Sequence, residues 1–343
     1  MLKLFGSKRG AEKLLAEIDA LEQQNGVGQD ADAARRVLQL RHRAGLELVD
    51  AAGSRRGDYP QPAFDNLPEV NGVPEVEAAE LTPELVRAAF LSKGSLIVRG
   101  FADSGVAVRL AEEIEAATEA RDTDAGDPGL YEAFEPVERF AKDLAAGRAV
   151  INSSGGGGLW GADSPLLFAH VLEAFEGARL RELATSYLGG RPVISVDKCV
   201  MRRVGPDIFG EEANGDGKKP SAWHQDGAFM GDVRALNVWL SLSRCGDIAP
   251  GMDIVPRRLE GIVPTGTQGA AFNWSVSQAV AEESAGEGGI VRPIFEPGDA
   301  LLFDELCLHS TAAERDMPNV RYAIETWFFA PSGFPADYAP VAF

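Results

Sequence analysis

Near residue 190 the sequence changes its periodicity, and that change restricts the fold more than any other feature. Before it, apolar side chains recur at helical spacing. Leu14, Leu15, Ile18 and Leu21 do so within 11–24, Val37, Leu40, Ala44 and Leu48 within 32–50, and Leu166 to Leu183 in a long helix that starts at Ser164-Pro165 and ends near Gly189-Gly190. After it, the apolar runs are short, β-branched or aromatic, and broken by Gly and Pro: Val193 to Val204, Val233 to Leu242, Ile290 to Phe295, Ala300 to Phe303 and Arg321 to Phe329. The pattern predicts an α+β chain in which helices precede an all-β barrel or jelly roll.

Between the helical segments, residues 51–76 are rich in Gly, Pro, Asn and Asp. They predict an extended connector that wraps the core, because Tyr59, Phe64 and Leu67 need cover. Thr82-Pro83-Glu84 is a cap followed by proline; it starts a helix that runs to Gly94, with a strand from Ser95 to Val98 and a helix over about 104–120 after it. Residues 122–163 show no clear period. They contain Ser153-Ser-Gly-Gly-Gly-Gly158, which has neither the lysine of a P-loop nor a GxGxxG spacing and is read as a mobile loop or lid, with Gly155 to Gly158 at its centre. The expected organisation is 1–75 as N-terminal helices and connector, and 76–343 as one domain with its β core at about 190–330.

Fifty-two acidic against thirty-three basic residues give a formal charge of -19, which repels nucleic-acid backbones and anionic membrane surfaces. The expected partner is a small molecule, with no nucleic acid and no membrane. Cys199, Cys245 and Cys307 form no CxxC pair and are odd in number, so neither a disulfide framework nor a zinc knuckle is expected. With no apolar signal core after Met1 and no run long enough for a membrane span, a cytoplasmic protein is expected. The two N-terminal amphipathic helices could equally pack on the barrel or on a second subunit, which leaves a homo-oligomer open.

Only four histidines occur. His42, in the charged run Arg41-His-Arg43, and His170, on the long helix, read as structural or surface residues. His224 lies in Trp223-His-Gln-Asp-Gly227, and on an extended strand residues i and i+2 share a face, so His224 and Asp226 can grip one ion. His309, beyond several strands, supplies a third ligand. Two histidines and one carboxylate on one face leave the opposite coordination positions open, as in oxygen-activating non-heme Fe(II) sites, whereas zinc more typically takes a closed tetrahedral set. Arg321 opens the last long strand, where its guanidinium could pair with a dicarboxylate whose other end chelates the metal. Lys198 and Arg202, four apart on one strand, share a face; either could aim into the barrel as an anion ligand, or both could face solvent from an edge.

Trp223-His-Gln-Asp-Gly227, Leu236-Asn-Val-Trp-Leu-Ser-Leu242, Gly251-Met-Asp-Ile-Val-Pro256, Gly298-Asp-Ala-Leu-Leu-Phe303, His309 and Arg321 follow one another in an order that resembles the phytanoyl-CoA dioxygenase family of Fe(II)/2-oxoglutarate oxygenases. The resemblance covers roughly 190–330. It implies a double-stranded β-helix of cupin-like jelly-roll type, flanked by the N-terminal and intervening helices. It also implies Fe(II) on His224, Asp226 and His309, and 2-oxoglutarate held by Arg321 with help from Thr311 and beside Trp239. The activity implied is oxidation of an unactivated C-H bond with O2, releasing succinate and CO2. Asp226 favours hydroxylation over halogenation, since related halogenases replace that carboxylate with a small residue. Where family members commonly continue into Pro-Gly-Ser-His, this chain reads Pro256-Arg-Arg-Leu-Glu260, so the pocket rim is rebuilt. Two other readings are carried forward: a cupin-like divalent-metal isomerase or hydrolase without 2-oxoglutarate, for which Arg321 has no use, and a non-catalytic binding protein on the same scaffold.

Overall fold

The computed structural model describes residues 8–25, 30–53, 57–123, 127–153, 158–205, 222–314 and 316–343. It opens with helices α1 (Lys8–Asn25) and α2 (Ala31–Ala52); Asp30 caps the second by accepting from the backbone N–H of Asp32 and Ala33. Their apolar stripes close on each other and on a C-terminal strand, β10 (Pro340–Ala342), with Ile18, Val37, Ala44 and Ala342 in one cluster. Arg41 donates from Nη1 to Ala342 O at 3.0 Å, and His42 donates from Nδ1 to Pro340 O at 2.7 Å. His42 Nε2 accepts from Val137 N at 3.3 Å, so both ring nitrogens are engaged and this histidine is structural. The helical pair thus docks on the sheet of its own chain.

The main sheet has eight strands, in the order β1 (Glu75–Glu77), β2 (Ser95–Arg99), β7 (Ala300–Phe303), β5 (Ala235–Ser241), β9 (Arg321–Phe329), β4 (Val193–Val204) and β10, with β3 (Gly158–Trp160) added on β4. Among the described residues only β1 and β2 pair in parallel. Side-chain alternation divides the sheet into two faces. On one, Leu236, Val238, Leu240, Ile324 and Phe328 join the apolar sides of α3 (Pro83–Lys93), α4 (Ser104–Thr123), α6 (Pro165–Gly177) and α7 (Leu180–Leu188). On the other, Trp239, Leu301, Phe303 and Trp327 share a core with Met252 and Ile254 of a second, smaller sheet.

That smaller sheet pairs β6 (Gly251–Ile254) with β8 (His309–Ala312) and is widened by single bridges at Trp223↔Val276, His224↔His309 and Ile254↔Val291. The molecule is therefore layered as helices, large sheet and small sheet. No helix among the described residues is long and apolar enough to cross a membrane.

The structure departs from the sequence expectations at several points. The helix from Pro165 is two helices, because Gly177 weakens the first and Arg179 takes a left-handed conformation (φ 56) before α7. Ile290 to Phe295 is not a strand; its backbone pairs through isolated bridges at Val291 and Phe295, since Pro293 between them has no N–H to give. Residues 122–163 contain α5 (Glu138–Ser153), which buries Phe140 and Leu144 one turn apart, and β3. Two short helices also went unread, α8 (Gly227–Met230) and α9 (Gln278–Ala285). Gly155 to Gly157 of the expected lid lie outside the described residues, while Gly158 begins β3.

The connector after α2 does wrap the core, although Phe64 is 52% exposed and needs no cover. Arg234, at the entry to β5, fastens it by donating to the carbonyls of Gly57 and Asp58, and to Leu188 O at 2.8 Å, with Tyr59 stacked on its guanidinium at 3.9 Å. Truncation would leave the buried Leu188 carbonyl without this donor and release the connector at Gly57 and Asp58. Arg234→Ala is expected to cost about 2–4 kcal/mol in urea unfolding; an unchanged midpoint would show that the connector is held by other contacts.

Candidate metal centre

His224 and His309 face each other across an antiparallel bridge and exchange both backbone hydrogen bonds, at 2.9 and 3.0 Å. Directly opposed residues in such a pair send their side chains to the same face. The two imidazoles consequently lie side by side, with ring centroids 4.4 Å apart. Asp226 reaches them differently from the strand alternation expected. It has helical backbone angles (φ -61, ψ -27) and leads directly into α8, so a turn, and not an extended strand, delivers its carboxylate.

Two neighbours in the His-Gln-Asp-Gly run hold that turn. Gln225 donates to Gly261 O at 3.1 Å and Leu306 O at 2.8 Å and accepts from Val263 N at 2.8 Å, which pins the chain on both sides of the site. At Gly227 an added Cβ would meet Ile262 Cδ1 at 2.8 Å and Glu305 O at 3.0 Å, so a larger residue would have to displace both neighbours.

The donor atoms are arranged as a cation would require. Each histidine gives its Nδ1 proton to the carbonyl two residues before it, His224 to Ala222 O at 2.7 Å and His309 to Cys307 O at 3.1 Å. These bonds fix the tautomer and leave both Nε2 lone pairs unprotonated. His224 Nε2 lies 3.7 Å from Asp226 Oδ1 and His309 Nε2 lies 4.0 Å from Asp226 Oδ2, and one atom from each residue falls within 4.8 Å of the others. Donors at these separations can share one ion at about 2.0–2.2 Å from nitrogen and oxygen. Asp226 Oδ2 is buried with no hydrogen-bond partner among the described residues. An orphaned carboxylate oxygen facing two unprotonated imidazole nitrogens is a site shaped for a metal.

Electrostatics agree. Burial pushes the Asp226 carboxyl up to about 6, only partly opposed by His224, because the charged form has lost its water. Burial likewise pulls His309 down to about 3, so its ring is neutral and able to ligate at any ordinary pH.

His224, Asp226 and His309 open into a cavity of about 500 Å³ that is also lined by Lys198, Trp239, Thr311 and Arg321. Arg321 is buried; Nη1 donates to Gly251 O at 2.9 Å, while Nε has no partner among the described residues. Burial lowers its pKa to about 10, which still leaves it charged at neutral pH. Trp239 is at once a core and a cavity residue, 5.6 Å from the Arg321 guanidinium and 5.0 Å from the Phe295 ring. Lys198 and Arg202 do not face solvent from an edge, since β4 is paired on both sides and both side chains line the cavity.

Asp197, Glu325, Phe229 and Trp274 also line the cavity, where they were not expected. Glu325 was legible, because it follows Arg321 by four on β9 and alternation puts both inward. Burial acts to raise its carboxyl, but Arg202, at 3.0 Å, outweighs it and holds Glu325 below its ordinary value. Phe229 sits on α8 and Trp274 in a loop, where no period announces a direction.

No family model matches the sequence, and no curated protein matches it. Solved structures do. EctD from S. alaskensis, crystallised with 2-oxoglutarate and 5-hydroxyectoine, is 18% identical over 82% of this chain and 86% of its own, with a TM-score of 0.45. EvdO2 from Micromonospora carbonacea var. aurantiaca is 16% identical over 75% of this chain and 91% of its own, with a TM-score of 0.46. The non-heme alpha ketoglutarate dependent carbocyclase SnoK from nogalamycin biosynthesis is 15% identical over 74% of this chain and 86% of its own, again at 0.46.

The Asp226 shift has a sign that can be tested without metal. Its folded value of about 6 lies above the ordinary 3.8, so the buried carboxylate costs no stability while protonated in both states. The cost grows as pH rises from about 4 to about 6 and is complete above that. Asp226→Asn is therefore expected to raise the melting temperature of the metal-free protein at pH 8, with the gain shrinking at pH 4, while abolishing metal binding. A lower melting temperature at pH 8 would contradict the unpaired carboxylate.

Proposed function

We propose that the chain is an Fe(II)- and 2-oxoglutarate-dependent oxygenase that hydroxylates, or otherwise oxidises, an unactivated C-H bond of a small organic substrate. One observation carries the proposal: a His/Asp/His donor set with an orphaned carboxylate oxygen shares its cavity with a buried arginine that has an orphaned donor. The first fits a cation, the second an anion, and a chelating dicarboxylate satisfies both. The sequence resemblance to the phytanoyl-CoA dioxygenase family supports this reading, as does a double-stranded β-helix interpretation of the two sheets. A metal-dependent isomerase or hydrolase would leave Arg321 buried and under-bonded to no purpose. A non-catalytic scaffold would not need all three ligands together with that arginine.

His224, Asp226 and His309 would hold the iron, and Arg321, with Thr311 beside it, would hold the far carboxylate of 2-oxoglutarate. Bound there, iron and 2-oxoglutarate supply the oxidising power, with O2 consumed and succinate and CO2 released. The chain's own contribution is positional. The paired strands fix the angle between the imidazoles, the Nδ1–H bonds to Ala222 and Cys307 stop the rings from turning, and Asp226 supplies the negative charge that balances a cation. Trp239, Phe303 and Trp327 line the cavity with apolar surface and keep water from the reacting carbon. Asp226 itself favours oxygenation over halogenation, since it fills the place a chloride would need.

Anaerobic addition of 2-oxoglutarate to the Fe(II)-loaded protein is expected to produce the weak visible absorption of the chelate. Arg321→Ala should weaken 2-oxoglutarate binding by about 2–4 kcal/mol, on the order of a hundredfold, and leave iron bound. Iron binding without the band would favour the isomerase or hydrolase; absence of iron binding would end the proposal.

A further inference from the structure

The cavity beyond the metal ligands has two kinds of wall. One is aromatic. Phe229 stacks on the His224 ring with centroids 6.1 Å apart and planes at 28°, Trp274 meets His224 edge-on at 5.5 Å, and Phe272 lies parallel to Trp274 at 4.9 Å and 4°. Phe229 is 45% exposed, Phe272 51%, and Ile262, whose Cδ1 occupies the space beside Gly227, 42%. Phe229 and Trp274 line the cavity, and Phe272 extends their apolar surface outward into water; such a patch, continuous with a metal ligand, marks a surface that a ligand covers.

The other wall is charged, but its charges are already matched. Arg202 Nη2 lies 3.0 Å from Glu325 Oε2 and Lys198 Nζ lies 3.3 Å from Asp197 Oδ2, all four side chains lining the cavity. With Asp226 facing the metal and Arg321 facing the cosubstrate, every formally charged side chain that lines the cavity among the described residues has an opposite partner. A charged substrate would lie unpaired there, or would break a pair and strand one member; both are costly away from water. Acyl-CoA thioesters and amino acids are disfavoured on that ground.

We infer, on the oxygenase reading above, that the substrate is an uncharged molecule built on a flat ring system. Its ring lies against Phe229 and Trp274, whose π faces favour offset or edge-on packing with another ring over contact with a saturated chain. Hydroxyl or carbonyl substituents meet the Arg202–Glu325 pair, which can donate from one member and accept on the other without losing its own bond.

The test uses four probes of one size: naphthalene-2,6-diol, 2-naphthoate, 2-naphthylmethylammonium and the saturated decahydronaphthalene-2-ol. Each is dialysed to equilibrium against the full chain loaded anaerobically with Fe(II) and 2-oxoglutarate, with the chelate absorption read on the same samples. The diol is expected to bind at least about tenfold more tightly than the other three, and Trp274→Ala and Phe229→Ala should each weaken it about tenfold. Glu325→Gln, which releases Arg202, should shift preference towards 2-naphthoate. A charged or saturated probe binding as tightly as the diol, no binding of the diol, or indifference to both aromatic substitutions would overturn the inference. Diol selectivity without the chelate band would keep it and reject the oxygenase reading; the band without diol selectivity would do the reverse.

Discussion

Two backbone hydrogen bonds, from His224 N–H to His309 O and back, join distant stretches of the chain at one bridge. The imidazole spacing depends on that pairing, because directly opposed residues carry their side chains to one face. The pairing also widens the small sheet beside β8, so the same two bonds that hold the ligands together extend the layer that carries them. Gln225 then anchors the loop at Gly261 and Val263 to the strand bearing the first histidine. A misplaced register would separate the ligands and break the layer at once.

Around this pairing the chain tolerates groups that work against folding. Asp226 Oδ2 and Arg321 Nε are buried without partners among the described residues, and neither would be retained by packing alone. Opposite charges could have been brought into contact, as they are at Arg202–Glu325, yet Asp226 and Arg321 each face the cavity. Bound ligands would return the lost interactions, which couples occupancy of the site to stability of the fold.

Much of this was legible in the sequence because it rests on local periods. The strands Val193 to Val204, Ala300 to Phe303 and Arg321 to Phe329 read correctly from β-branched and aromatic runs, and the cap Thr82 with Pro83 started its helix where the structure starts it. The His-x-Asp pair was found for an incomplete reason: the spacing suggested a strand, but a turn at Asp226 provides the geometry. What escaped lies where tertiary contacts override local preference. The break at Arg179, the helix α5 with its few buried residues, and Phe229 and Trp274 at the cavity mouth carry no periodic signal. Glu325 did carry one and was passed over beside Arg321.

Two imidazoles from backbone-paired residues and one carboxylate are proposed to hold a single iron. X-ray absorption at the iron edge of the Fe(II)-loaded protein tests this directly. Nitrogen and oxygen donors only are expected, with outer scattering from two imidazole rings that falls to one in His309→Ala. Sulfur among the donors, or ring scattering unchanged by that substitution, would contradict it.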